Sequence, residues 1–149
     1  HLDNLHEWKA TPIHRKSFRP VRENFPTISW YRKHHRIGWI GEKLAALYLL
    51  KNSYEIISMN EHLAPYGELD LIVEKNGEII FVEVKTISKK QLGTPELKVD
   101  DQKISKLEKS IDLYIMKNEI NLDIRLDIIS VMLRSGDPKI KHYKGIDIS

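Results

Sequence analysis

The dipeptide Asn76-Gly77 lies between two runs of alternating residues and predicts that the chain doubles back there as a β-hairpin. Residues 68–74 read Glu-Leu-Asp-Leu-Ile-Val-Glu, and residues 78–85 read Glu-Ile-Ile-Phe-Val-Glu-Val-Lys. A two-residue turn fixes the register. With Lys75 opposite Glu78, Asp70 faces Glu83 and Glu68 faces Lys85. Directly opposed residues hold their Cβ atoms about 4.5–5.5 Å apart, and like charges placed there destabilise a sheet. Two facing carboxylates therefore need a proton or a cation between them. Leu71, Val73, Ile80, Val82 and Val84 supply one buried face, so Asp70, Glu83 and Lys85 share the other with Ile72, Ile79 and Phe81. Beside such apolar neighbours an unpaired carboxylate is costly.

The rest of the chain reads as one mixed α/β domain around this hairpin. Ile37, Ile40, Leu44, Leu47 and Tyr48 recur at helical spacing within residues 30–52. A short apolar run at residues 55–59 predicts a strand, and residues 60–67, with Pro65 inside, read as a loop. Residues 88–98 read as a second loop. A clear amphipathic helix is expected from Asp100 to Lys117, with Ile104, Leu107, Ile111, Tyr114 and Ile115 in one stripe. Leu122, Ile124, Leu126 and Ile128 then alternate with polar residues in a strand that runs on through Leu133. After a turn at residues 135–138, residues 139–143 form a last short strand.

The chain of 149 residues is long enough for one domain with a real core. No apolar run approaches the roughly 18 residues that a membrane helix requires, so no membrane partner is expected. With no cysteine, disulfide and thiolate chemistry are excluded, and a cytoplasmic location is the expectation. The first residue is His1 rather than Met, which leaves the native start open. Charge is unevenly spread: residues 1–36 carry eight Lys/Arg against three acids, whereas the remainder carries 16 against 18. We therefore divide the chain into a basic, irregular extension over residues 1–35 and a domain over residues 36–149. Such an arm suits contact with a polyanion, and it equally suits a solvated extension. Trp8, Phe18, Phe25, Trp30 and Tyr31 interleave with its basic residues in a pattern that fits stacking on unpaired bases or anchoring on the domain.

Hard cations such as Mg²⁺ bind through one or two carboxylates together with water and phosphate, and Asp70 and Glu83 fit that role. Lys85 would then orient or deprotonate an attacking water, or stabilise charge in a phosphorane-like transition state. The competing reading is a Glu68–Lys85 cross-strand ion pair beside an Asp70–Glu83 clash relieved by solvent. Lys89, Lys90 and Lys98 flank the hairpin on its following loop. Lys103, Lys106 and Lys109 lie at helical spacing, and both sets suit phosphate contacts or a solvated face.

These residues carry a resemblance. Gly67-Glu-Leu-Asp-Leu-Ile72 followed by Phe81-Val-Glu-Val-Lys-Thr86 resembles the YraN-like family of predicted endonucleases, in the PD-(D/E)XK, restriction-endonuclease-like superfamily. Gly38-x-x-Gly-Glu-Lys-Leu-Ala45, Asn60, Val99-x-x-x-Lys103, Arg125-Leu-Asp-Ile-Ile129 and Ile140-Lys-His-Tyr143 extend the match over about residues 36–146. It departs from the family pattern at His62, Ile87 and Ile104. The resemblance implies a restriction-endonuclease-like fold, a central mixed sheet flanked by helices, with a Mg²⁺- or Mn²⁺-dependent nuclease site on the hairpin. Carried over, Asp70 and Glu83 are metal ligands, joined by the Val84 carbonyl, and Lys85 is the catalytic lysine. Glu42 is the helix carboxylate that reaches the ion directly or through water. Glu68 is a neighbouring acid or the partner of Lys85. The expected substrate is DNA, at branched or otherwise structured sites, and a homodimer would suit cutting two strands. The alternative is a non-catalytic nucleic-acid-binding or accessory module.

Overall fold

Asn76 and Gly77 both adopt positive φ, 52° and 77°, which is the type I′ geometry whose twist matches that of the strands it joins. The computed structural model describes residues 37–88, 101–134 and 136–147. Seven elements follow in order: α1 (Ile37–Lys51), β1 (Glu55–Leu63), β2 (Gly67–Lys75), β3 (Glu78–Ser88), α2 (Asp101–Lys117), β4 (Asp123–Leu133) and β5 (Lys139–Tyr143). The strands form one sheet in sequence order, β1-β2-β3-β4-β5. All neighbours are antiparallel except β3 and β4, which run parallel. Parallel neighbours need a crossover connection, and α2 lies within this one. The fold is therefore a mixed five-stranded sheet with two helices, of the α/β class.

Each face of the sheet carries its own core. Ile40, Leu44, Ala45 and Leu49 of α1 pack on Leu71, Val73, Ile80, Val82, Ile129 and Val131. On the other face Leu107, Ile111 and Tyr114 of α2 pack on Ile72, Ile79, Phe81 and Leu126. The apolar residues that alternation placed beside the acids are thus a second buried layer. Helix α1 comes close to the sheet because Gly41 has no side chain. A Cβ there would collide with Thr86 Oγ1 of β3 and lie 3.0 and 3.1 Å from the Thr86 Cβ and Cγ2.

The expected loop over residues 60–67 is corrected by the structure. Strand β1 continues to Leu63, and only residues 64–66 turn before β2. Asn60, Glu61 and His62 are polar in sequence yet lie in a paired strand, with Glu61 opposite Leu69 and His62 opposite Glu68. Register also shifts between Ile56 and Ser58, a bulge that leaves Ile57 exposed. The expected strands 68–74, 78–85, 122–133 and 139–143 appear within two or three residues of their ends. Residues 1–35, and the loop lysines Lys89, Lys90 and Lys98, lie outside the described residues.

One strand in from the β5 edge, Asp127 of β4 is fully buried and fully satisfied. It accepts two bonds from Arg125, at 2.8 and 2.9 Å, and one from the Gly145 N–H at 2.9 Å. His142 of β5 stands 2.7 Å from its other side. The cluster ties β4, β5 and the segment after β5 together. Burial alone would push the Asp127 carboxyl up, but the bonds from His142, Arg125 and Gly145 hold it down at about 2.

Candidate metal and phosphate site

The ladder between β2 and β3 is registered from Lys75↔Glu78 to Leu71↔Val82, the pairing that the turn predicts. One residue further, Asp70 departs from simple opposition. Its Oδ2 accepts the Val84 backbone N–H at 2.9 Å, so a carboxylate takes the place of a ladder carbonyl. Glu83, on the same face as Asp70, is 8% exposed. Burial and then the nearby Glu83 charge push the Asp70 carboxyl far above the ordinary carboxylate range, against the opposing bond from Val84. Two acids crowded in this way are what the hairpin register implied.

A third acid arrives from α1. Because Gly41 touches β3 at Thr86, the next residue, Glu42, comes to the same end of the sheet. Its carboxyl is pushed up to about 7, chiefly by burial, with smaller upward contributions from the charges of Glu68 and Glu83. Asn60 holds it from the β1 side. With its amide nitrogen turned toward the acids, Asn60 donates to Glu42 Oε1 at 2.7 Å and to Glu68 Oε1 at 3.0 Å. Glu68 also meets His62 Nδ1 at 3.3 Å, an exposed contact. The registered β2–β3 ladder stops at Leu71↔Val82, short of the expected Glu68–Lys85 pair, and on its other side Glu68 pairs with His62 of β1.

Three lysines belong to this region, one each on α2, β3 and α1. Lys103, at the start of α2, places its ammonium 3.2 Å from Glu83 Oε1. Sequence patterning left this residue to phosphate contact or a solvated face; the ion pair with an acid of the site is an addition to both. Lys85 lies two residues beyond Glu83 on β3, half-buried and opposite Ser130 of β4. Next to Glu42, Lys43 is 4% exposed, with its Nζ 3.8 Å from Met59 Sδ and 4.8 Å from the Trp39 ring centroid. Burial lowers the Lys43 ammonium to about 8.

The structure thus brings Glu42, Asp70 and Glu83 together, with Glu68, Asn60 and Lys103 around them. Among the described residues no group of three or more His, Cys, Asp or Glu side chains is placed to hold a metal ion as the side chains stand. The donor chemistry nevertheless fits a hard divalent ion: oxygen donors, partly buried, two of them holding protons near neutrality where a cation would otherwise balance their charge. Two features escaped sequence reasoning. The Asn60 clasp was hidden in a polar run that reads as loop, and the Lys103–Glu83 pair joins residues on separate elements. The Asn60 match to the family pattern was the one signal pointing to the first.

Residues 41–131 match the family described as "Uncharacterised protein family UPF0102". A UPF0102 protein of Syntrophomonas wolfei is 42% identical over 107 residues, covering 71% of this chain and 92% of the relative. One from Flavobacterium psychrophilum is 35% identical over 112 residues, 75% of this chain and 93% of the relative. One from Bacteroides fragilis is 38% identical over 112 residues, 75% and 92%. The YraN-like resemblance read from the sequence and this family coincide.

Proposed function

The chain belongs to the uncharacterised protein family UPF0102, and we propose that it is a Mg²⁺- or Mn²⁺-dependent nuclease built on a restriction-endonuclease-like core. The observation that carries this reading is the crowding of three partly buried acids, Asp70, Glu83 and Glu42, whose charges act on one another and push two of the carboxyls up. Asp70, Glu83, Glu42 and the Val84 carbonyl are the groups that would hold the ion. When bound, a divalent ion supplies charge neutralisation on a phosphate and lowers the pKa of a coordinated water.

The protein's own side chains would do the rest. Asp70 is fixed by the Val84 N–H, so its second oxygen is free to face the ion. Lys85 would place its ammonium toward the attacking water or a non-bridging phosphate oxygen, where charge grows in the transition state. Lys103 would exchange Glu83 for a phosphate once the acid is otherwise balanced. The proposed substrate is a DNA phosphodiester, at branched or structured sites. The basic residues of 1–36, with Lys89 and Lys90, would add sequence-independent phosphate affinity.

The test is a cleavage panel of linear, single-stranded, flapped and four-way DNA, with and without Mn²⁺. Metal-dependent cutting of at least one substrate is expected. Asp70→Asn abolishes Mn²⁺ binding while keeping the fold, and Lys85→Ala keeps Mn²⁺ binding but loses cleavage by two orders of magnitude or more. DNA binding with no cutting of any substrate would instead make the chain a nucleic-acid-binding module.

A further inference from the structure

The pairs Met59↔Leu71 and Glu61↔Leu69 flank Asn60 and set it directly across the β1–β2 ladder from Asp70. Its backbone takes φ = 53°, the left-handed region that asparagine tolerates better than most residues. That local turn within a strand aims the side chain at the acids. One amide nitrogen then gives both its protons away, at 2.7 Å to Glu42 Oε1 and 3.0 Å to Glu68 Oε1. A planar amide donating twice fixes the positions of two carboxylates relative to each other, one from a helix and one from a strand. It also occupies one oxygen of Glu42 and leaves the second for another partner.

We propose that Asn60 is a positioning residue that holds the Glu42 carboxylate, with Glu68 as the second anchor, in the orientation that faces the divalent ion. This rests on the metal-site reading above and adds a residue to it. Groups that orient a metal ligand commonly change metal affinity by about 10- to 100-fold when removed. The role assigned to Asn60 is exerted through Glu42 and Glu68, the two groups it bonds. A carboxamide is preferred here to a carboxylate because a third acid could neither donate nor relieve the crowding. A lysine would bring its own charge into competition with the cation.

Asn60→Gly is the informative substitution, since glycine accepts φ = 53° without strain and removes the donor together with its short side chain. Asn60→Asp keeps the size and backbone tolerance but supplies no donor. In the metal-free full chain, the wild-type Asn60 side-chain amide gives NMR protons shifted downfield and slow to exchange. One of the two returns to ordinary values in Glu42→Ala. Mn²⁺ titrated into the protein by calorimetry binds about tenfold more weakly to Asn60→Gly, and more weakly still to Asn60→Asp. Glu42→Ala combined with Asn60→Gly loses no more affinity than Glu42→Ala alone, a coupling that a merely structural role would not produce. Wild-type affinity in Asn60→Gly, or losses that add in the double variant, overturns the assignment of Asn60 while leaving the metal site intact. A wild type that binds no Mn²⁺ overturns both.

Discussion

Glu42 and Asp70 hold protons near neutrality because burial and neighbouring acids penalise their charged forms. An ion that takes these oxygens must displace those protons, so affinity and proton release are linked. Mn²⁺ affinity is expected to rise from pH 6 to pH 8, with Glu42 at about 7 within that window. At pH 7 the measured heat should depend on the ionisation enthalpy of the buffer, and a buffer-independent heat would remove these two acids from the site. Part of this was readable from the chain alone. The hairpin turn fixes the register, and the register sets Asp70 beside Glu83. Glu42 entered only through resemblance, since a glutamate in a helix has no pattern to distinguish it from a solvated one. The Lys103–Glu83 pair has no sequence signal, because an exposed helical lysine looks the same whether it meets solvent, phosphate or a carboxylate across a crossover.

The packing of α1 on β3 decides whether Glu42 can reach the hairpin acids, and Gly41 is the contact point. Rotating Thr86 does not clear an added methyl, because its Oγ1 and Cγ2 cannot both turn away from it and Cγ2 would lie only 3.1 Å off. Gly41→Ala must therefore push the helix outward and carry Glu42 with it. The expected cost is about 1–3 kcal/mol of stability, the usual range for overpacking a well-filled interface. Mn²⁺ affinity should fall in the same variant, and Thr86→Ser should restore part of both by removing the Cγ2 that blocks rotation of the hydroxyl. Urea denaturation with parallel calorimetry measures this; unchanged affinity in Gly41→Ala would show that Glu42 does not depend on the helix position. The first glycine-containing motif was visible in the sequence, but not its reason, which lies in a side chain forty-five residues downstream. The second half of β1 was missed for a related cause. Asn60 bonds the acids, Glu61 takes the Ser58 hydroxyl and His62 is exposed beside Glu68, and such polarity with a nearby proline imitates a loop.

Across the full chain, two sets of carboxyls pull stability in opposite directions with pH. Asp127 is held at about 2, below the ordinary value near 3.8. It therefore contributes stability above pH 4, about 2 kcal/mol by linkage, which is lost as pH falls toward 2. Glu42 and Asp70 are raised instead, so the unfolded chain releases their protons first. Their contribution is complete below pH 4 and is lost as pH rises through 7. Among these groups the metal-free protein is most stable in weak acid, and its melting temperature should decline from pH 5 to pH 8. Mn²⁺ binds the native form alone and needs deprotonated acids, so it should raise the melting temperature at pH 8 far more than at pH 5. Asp70→Asn keeps an oxygen for the Val84 N–H and removes a titrating group. It should flatten the decline between pH 5 and 8, leave the acid limb set by Asp127 in place, and abolish the Mn²⁺ response. A metal-free melting temperature that climbs from pH 5 to pH 8 would mean that the acids at the sheet's end are not crowded in solution, and the metal site would lose its physical basis.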